Sequence, residues 1–431
     1  MKINFQYIVL GAFIFFAVAG IFLFSISGKF GGGGNEATQE VTIWGTRPER
    51  EVRELLSRID NKNPNLVKIK YTEIREEFFD ETLLEALASD KGPDMIFLSD
   101  DRLIKYKNKI FPIPYDSLSQ RDFRNIFITE GELYLGAEGV YAVPFSVDPL
   151  VMYWNRATFA GKGEPLPPSY WDEFFTLSPK LTEIDNSRNI LKSFVAFGEY
   201  DNVNNAKEIL SALLLQAGNP ITTVQNDRLI SAIGNKSADA GRPAESVLRF
   251  FTEFSNPVKA VYSWNKAKPL SAQAFLGGDL ALYLGFASEA SSLRQKNPNL
   301  DFDVTLLPQI RDADLKATYA KIEGLAVLKS SPRLASSISA IFVLIAKDNI
   351  FDWAEITNLP PVRRDLLKDR PEEAFKQIFY DSALISKGWL DPDSEQTGII
   401  FGRMVKDVTS GRLKISEAVD RASSEMTALL R

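Results

Sequence analysis

The first hundred residues alternate between two hydrophobic periods. Residues 41–44 (VTIW) are a β-branched run ending in an aromatic, which predicts a strand. Val52, Leu55, Leu56 and Ile59 then recur at i, i+3, i+4 and i+7, the stripe of an amphipathic helix. Pro48 suits the first turn of that helix. Residues 67–71 alternate like a strand, and Leu83, Leu84 and Leu87 mark a second helix that Gly92-Pro93 stops. Residues 95–98 are an apolar strand. The order β-α-β-α-β predicts a parallel sheet with helices on both faces. Ligands of such sheets sit beyond the carboxyl ends of the strands, here at 44–47 and 99–102.

Further along, Gly139 leads into an apolar run at 140–143, and Pro144 is expected to break the ladder. A second run, 150–154, ends at Asn155. After a Pro-rich connection a helix opens at Tyr170-Trp171-Asp172-Glu173-Phe174. The region 149–299 is expected to be mostly helical. Residues 209–217 are an apolar run closed by Gly218, and 244–254 are amphipathic and stop before Pro257. No internal repeat is present.

Residues 7–26 carry no charge. As a helix they would span about 30 Å, the thickness of a bilayer core. Lys2 and the amino terminus precede them, so the start is expected to stay cytoplasmic. The competing expectation is a signal peptide cleaved near Ala17-Val18-Ala19. Gly31 to Gly34 and the polar residues up to Glu40 form a linker of low apolar content.

A length of 431 residues suggests about two to three domains. The net charge of −6 argues against a nucleic-acid partner, which needs a basic surface. The chain has no Cys and no His. Disulfides, thiolate nucleophiles and Ser-His-Asp catalysis are excluded, and the commonest zinc ligands are missing. Carboxylate-only catalysis, as in glycosidases, stays open.

Several phrases occur in an order that resembles the extracellular solute-binding proteins of ABC importers, in their carbohydrate-type, maltose-binding-protein-like branch. They are the crossing at 139–175, the phrase 274–283 (AFLGGDLALY) followed by 301–308 (DFDVTLLP), the loop 359–366 (LPPVRRDL), and Ser410-Gly411-Arg412 before Ser416-Glu417-Ala418-Val419. The resemblance covers roughly residues 41–430. It implies an α/β, two-lobed fold of the periplasmic-binding-protein type II with hinge crossings, here preceded by an N-terminal transmembrane anchor helix.

The expected divisions are an anchor or signal segment at 5–27, a Gly-rich linker at 28–40, a first lobe of 41–147 plus 301–346, and a second of 148–300 plus 347–431. The third crossing is expected near 346–350. The missing lipid-carrying Cys and the anchor tell one story: a helix does the tethering. The implied protein is a monomer held by a single pass at the cell membrane. Its binding domain is extracytoplasmic, its ligand a carbohydrate and its partners the ABC permease subunits. No cofactor, metal or catalytic residue is implied.

A sugar cleft needs aromatic rings for C–H faces and carboxylates or guanidinium groups for paired hydroxyls. The resemblance places Trp44 at the end of the first strand with Thr46 and Arg47 following it, Asp101 and Arg102 after the third, and Asp148 at the first crossing. Trp264, in a polar loop, is expected to form a cleft wall, with Phe286 as an aromatic platform and Tyr319 and Glu323 on a cleft-facing loop.

The chain departs from the maltose pattern at several points. Pro48 and Glu49 replace an Asp-Lys pair, Leu98 replaces a Trp, Phe286 is shifted by one position, and Gly398 stands where a late Trp platform falls. These losses argue against long maltodextrins. Two other functions compete: binding or sensing of a peptide, polyamine or anionic solute, with Arg47 and Arg102 basic, and a glycosidase with Asp101 and Asp148 as its carboxylates.

Overall fold

The computed structural model describes residues 39–430 except 65, 227, 237–240 and 314. The uncharged N-terminal run and the linker up to residue 38 lie outside the described residues. Among the described residues, no single helix is long and apolar enough to cross a membrane.

The first lobe opens as its periodicity predicts, with β1 (Val41–Gly45), α1 (Glu49–Lys62), β2 (Ile69–Glu73), α2 (Phe79–Ala88) and β3 (Met95–Ser99). β1 pairs in parallel with β2 on one side and β3 on the other. Val41 and Ile43 bury one face of β1, and Val52, Leu55 and Ile59 bury the stripe of α1 against the same core.

Pro144 does not break the next strand. β4 runs unbroken from Val143 to Asn155. Its first half pairs with the later strand β8 (Thr318–Leu328), where the register shifts between Glu323 and Gly324 so that Phe145 is left unopposed. This bulge accommodates the missing proline N–H, which a regular ladder could not. The second half of β4 pairs with β6 (Leu280–Phe286) and β7 (Phe302–Thr305) in the other lobe. β4 is therefore one crossing and β8 another. Tyr319 and Glu323 lie within β8 and not on a loop, because the strand is paired on both sides, Glu323 with Ser99 and with Ser146.

The second lobe holds β5 (Ile190–Val195), parallel to β6, and α3 (Ala206–Gln216). It has more strand than expected, including the hairpin Thr222–Gln225 with Arg228–Ser231. That hairpin is short and polar, so its pattern carries little periodic signal.

Two hydrophobic cores move the expected boundaries. Val304 and Leu307 pack in the second core, so the chain has not returned to the first lobe at 301. Ile350, Trp353, Leu366 and Leu367 pack in the first core, so no crossing occurs near 346–350. The third crossing follows the helix Ala374–Leu384, which gives Phe375 and Phe379 to the second core and Tyr380 and Ala383 to the first. Ser386 and Lys387 then pair with Thr318 and Tyr319 of β8, and Trp389 enters the second core. An apolar run records that a segment is buried, and the partner core is decided elsewhere in the chain.

Candidate functional site

The carboxyl ends of β1 and β3 meet the two crossing strands at one place. Arg47 leaves β1 and its Nε donates to Glu323 Oε2 at 2.7 Å, while Nη2 donates to Ser146 Oγ at 3.1 Å. The Tyr71 hydroxyl fixes the Arg47 carbonyl at 2.7 Å. Burial works to lower the Arg47 pKa. The charge and hydrogen bond of Glu323, with Asp148 and Glu51 behind it, outweigh burial and hold the pKa above the usual arginine value. On β3 the Ser99 hydroxyl donates to Asp101 Oδ1 at 2.5 Å, and Glu323 lies opposite Ser99 in the ladder.

Asp148 sits opposite Lys321 where β4 and β8 cross. Its Oδ1 accepts from the Ser288 amide of the second lobe at 3.0 Å. Burial raises the Asp148 carboxyl above its ordinary value, opposed by the Ser288 bonds and the charges of Arg47 and Lys321. Lys321 Nζ stands 4.3 Å from the centre of the Phe286 ring and 3.8 Å from Glu208 Oε1. Tyr319 meets Phe286 edge-on, with ring centres 6.4 Å apart.

The second-lobe loop is held by Glu289, which accepts from the Tyr283 hydroxyl at 2.5 Å and the Phe286 amide at 2.8 Å. Gly285 makes room for this. A Cβ there would stand 2.5 Å from the Tyr283 ring and 3.0 Å from Glu289 Oε1.

Arg47, Asp148, Phe286, Tyr319 and Glu323 thus converge along the crossing strands, with Asp101 close enough to act electrostatically on Tyr319. Trp44 and Thr46 are half-buried beside them. Arg102 turns away. It pairs with Glu76 at 2.5 Å and Asp80 at 3.3 Å and lies over the Phe79 ring.

Trp264 is no cleft wall. It is fully buried in the second core and its Nε1 donates to Asn202 Oδ1 at 3.1 Å. Polar neighbours in sequence suggested exposure, but they are committed to pinning the loop: Asn202 Nδ2 donates to the carbonyls of Asn265 and Lys268.

Ser146, Lys321, Glu208 and Ser288 are additions that sequence reasoning missed. Lys321 had a signal: with Tyr319 and Glu323 it occupies every second position of a strand that is apolar from Ala320 onward at the positions between them. At Gly398, the missing platform, the nearest side-chain atom to a built Cβ is the Tyr200 hydroxyl at 3.7 Å, and the Tyr200 ring seats against Gly402. Among the described residues, no group of three or more acidic side chains could hold a metal ion.

Two α/β lobes joined by adjacent crossings, with charged side chains gathered along those crossings, define a two-lobed ligand-binding protein. The family model for bacterial extracellular solute-binding proteins matches residues 50–340, and the chain belongs to that family. No match to a curated relative was found.

Solved structures share the fold at low identity. The cyclic alpha-maltosyl-1,6-maltose binding protein from Arthrobacter globiformis superposes with a TM-score of 0.76 at 15% identity, covering 91% of this chain and 99% of that one. A cyclo/maltodextrin-binding protein complexed with maltotetraose gives 0.72 at 14% identity, with 92% and 98% covered. An ABC transporter solute-binding protein from Thermotoga lettingae, bound with alpha-D-tagatose, gives 0.67 at 18% identity, with 91% and 100% covered.

Proposed function

We propose that this protein captures a carbohydrate between its lobes and hands it, unaltered, to an ABC importer, acting as a monomer tethered outside the membrane by its N-terminal run. The observation that carries this reading is the line of Arg47, Glu323, Asp148 and Lys321 beside the rings of Phe286 and Tyr319. Its charged groups can each take paired hydroxyls. The rings of Phe286 and Tyr319 are buried here, 4% and 7% exposed, and would meet sugar C–H groups only as the lobes part. Similar folds hold maltotetraose and alpha-D-tagatose, and membership in the solute-binding family supports delivery to a permease. With no aromatic at Gly398, a short sugar suits the site better than a long maltodextrin. Ligand would bias an open–closed equilibrium of the lobes about the crossings.

A thermal-shift screen of the full chain against mono- and oligosaccharides, D-tagatose and maltotetraose among them, tests the proposal. A bound sugar at 100 times its dissociation constant adds about 2.7 kcal/mol. Asp148→Ala is expected to lose that shift while the unliganded melting temperature stays close to wild type. An unchanged shift in the variant removes Asp148 from the site, and a panel without any stabilising sugar removes the carbohydrate reading.

A further inference from the structure

The three crossings lie side by side: β8 is flanked by β4 and, at Thr318 and Tyr319, by Ser386 and Lys387. Glu130, in the helical turn Thr129–Tyr134 of the first lobe, presses on this bundle. It is 2% exposed, and neither carboxyl oxygen has a hydrogen-bond partner. Gly388, on the third crossing, passes so close that a Cβ there would stand 2.2 Å from Glu130 Oε1.

Asp100, equally buried at the end of β3, acts on Glu130 as a like charge and accepts a 3.3 Å hydrogen bond from the Ile322 amide. Asp101 and Asp391 add negative charge around Asp100, and Lys387 is the cation that acts on Glu130. Tyr134 and Tyr319 both feel the two carboxyls. The Tyr134 hydroxyl is engaged with the carbonyls of Leu98 and Ile322, at 2.7 and 3.0 Å.

A buried carboxylate with no donor is strongly disfavoured, so such a group keeps its proton. Burial first, and then Asp100, push Glu130 well above the ordinary glutamate range, with Lys387 opposing. Any rearrangement that admits water to Glu130 returns it toward that range.

We propose that Glu130 is a proton-linked latch on the third crossing: neutral, it lets Gly388 pack as seen here, and ionised, it drives Ser386 to Trp389 away and changes the angle between the lobes. The packed conformer binds the proton and the rearranged one releases it. Acid therefore favours the packed conformer. Alkali favours the other, beginning above the ordinary glutamate value of 4.5 and continuing upward to the raised value. This inference is independent of what the cleft binds.

The absence of native cysteine makes the test direct. Glu85→Cys on α2 and Gln295→Cys on the helix Glu289–Lys296, both exposed, place one spin label on each lobe of the full-length chain. Pulsed dipolar spectroscopy is expected to show an interlobe distance that moves reversibly between about pH 4.5 and pH 8.5. Glu130→Gln, the uncharged isostere, should hold the acid distance throughout. Asp100→Asn should move the midpoint to lower pH, because it removes the like charge that resists ionisation. A distance that ignores pH in the parent, or that moves identically in Glu130→Gln, overturns the latch. An unmoved midpoint in Asp100→Asn overturns the coupling of the two carboxyls.

Discussion

Trp264→Ala is expected to destabilise the second lobe by about 3–5 kcal/mol, the range for deleting a large buried ring. For a lobe of this size that lowers the melting temperature by roughly 10 °C. The indole is fully buried in the second core. Its loss leaves a cavity and strips Asn202 Oδ1 of its donor. Asn202 also holds the carbonyls of Asn265 and Lys268, so the loop that carries Trp264 should loosen with it. Whichever sugar stabilises the wild-type protein should still bind the variant below its melting range, because the ring faces the core. Near wild-type stability combined with lost binding would return Trp264 to the cleft.

Asp94→Ala should cost on the order of 3 kcal/mol, as expected when a buried, hydrogen-bonded charge is removed from its partners. Asp94 is 1% exposed and joins three separate parts of the first lobe. It accepts from the Thr42 amide at 2.8 Å and hydroxyl at 2.9 Å, and from the Ser331 hydroxyl at 2.6 Å. Arg333 Nη1 closes the set at 3.1 and 3.2 Å.

Burial alone would raise the Asp94 carboxyl, but the bonds from Ser331 and Thr42 and the charge of Arg333 win and hold it below the ordinary value of 3.8. A depressed carboxylate pKa contributes stability above the unfolded value and loses it as pH falls through the folded one. Wild-type unfolding followed by circular dichroism should therefore gain an acid-sensitive component below about pH 3.8 that Asp94→Ala lacks. A variant with the same acid profile as wild type would show that Asp94 contributes no such term.

Much of the first lobe was legible because its signals are local. The β-branched run at 41–44, the stripe Val52, Leu55, Leu56 and Ile59, and the apolar run at 95–98 each reported their own period. They became β1, α1 and β3. Asp148 is singled out by the family resemblance at the first crossing and Glu323 by its place just before Gly324, and the structure sets both on crossing strands. Lys321 was overlooked although it shares its face of β8 with Tyr319 and Glu323. The ion pairs of Arg102 with Glu76 and Asp80 bridge 26 and 22 positions of chain, and adjacency to Asp101 says nothing about them.

The sequence by itself determined the types of the first elements, the chemistry ruled out by the lack of Cys and His, and the solute-binding pattern. Only the tertiary structure decided that β4 passes through Pro144, that Trp264 is core, and that the third crossing follows the helix Ala374–Leu384. It alone joined Arg47 to Glu323 across 276 positions and set Glu130 against Gly388. The reason is physical. Periodicity states which side of an element avoids water. Which atoms cover that side, and whether a buried charge finds a partner, depends on segments that only folding brings near.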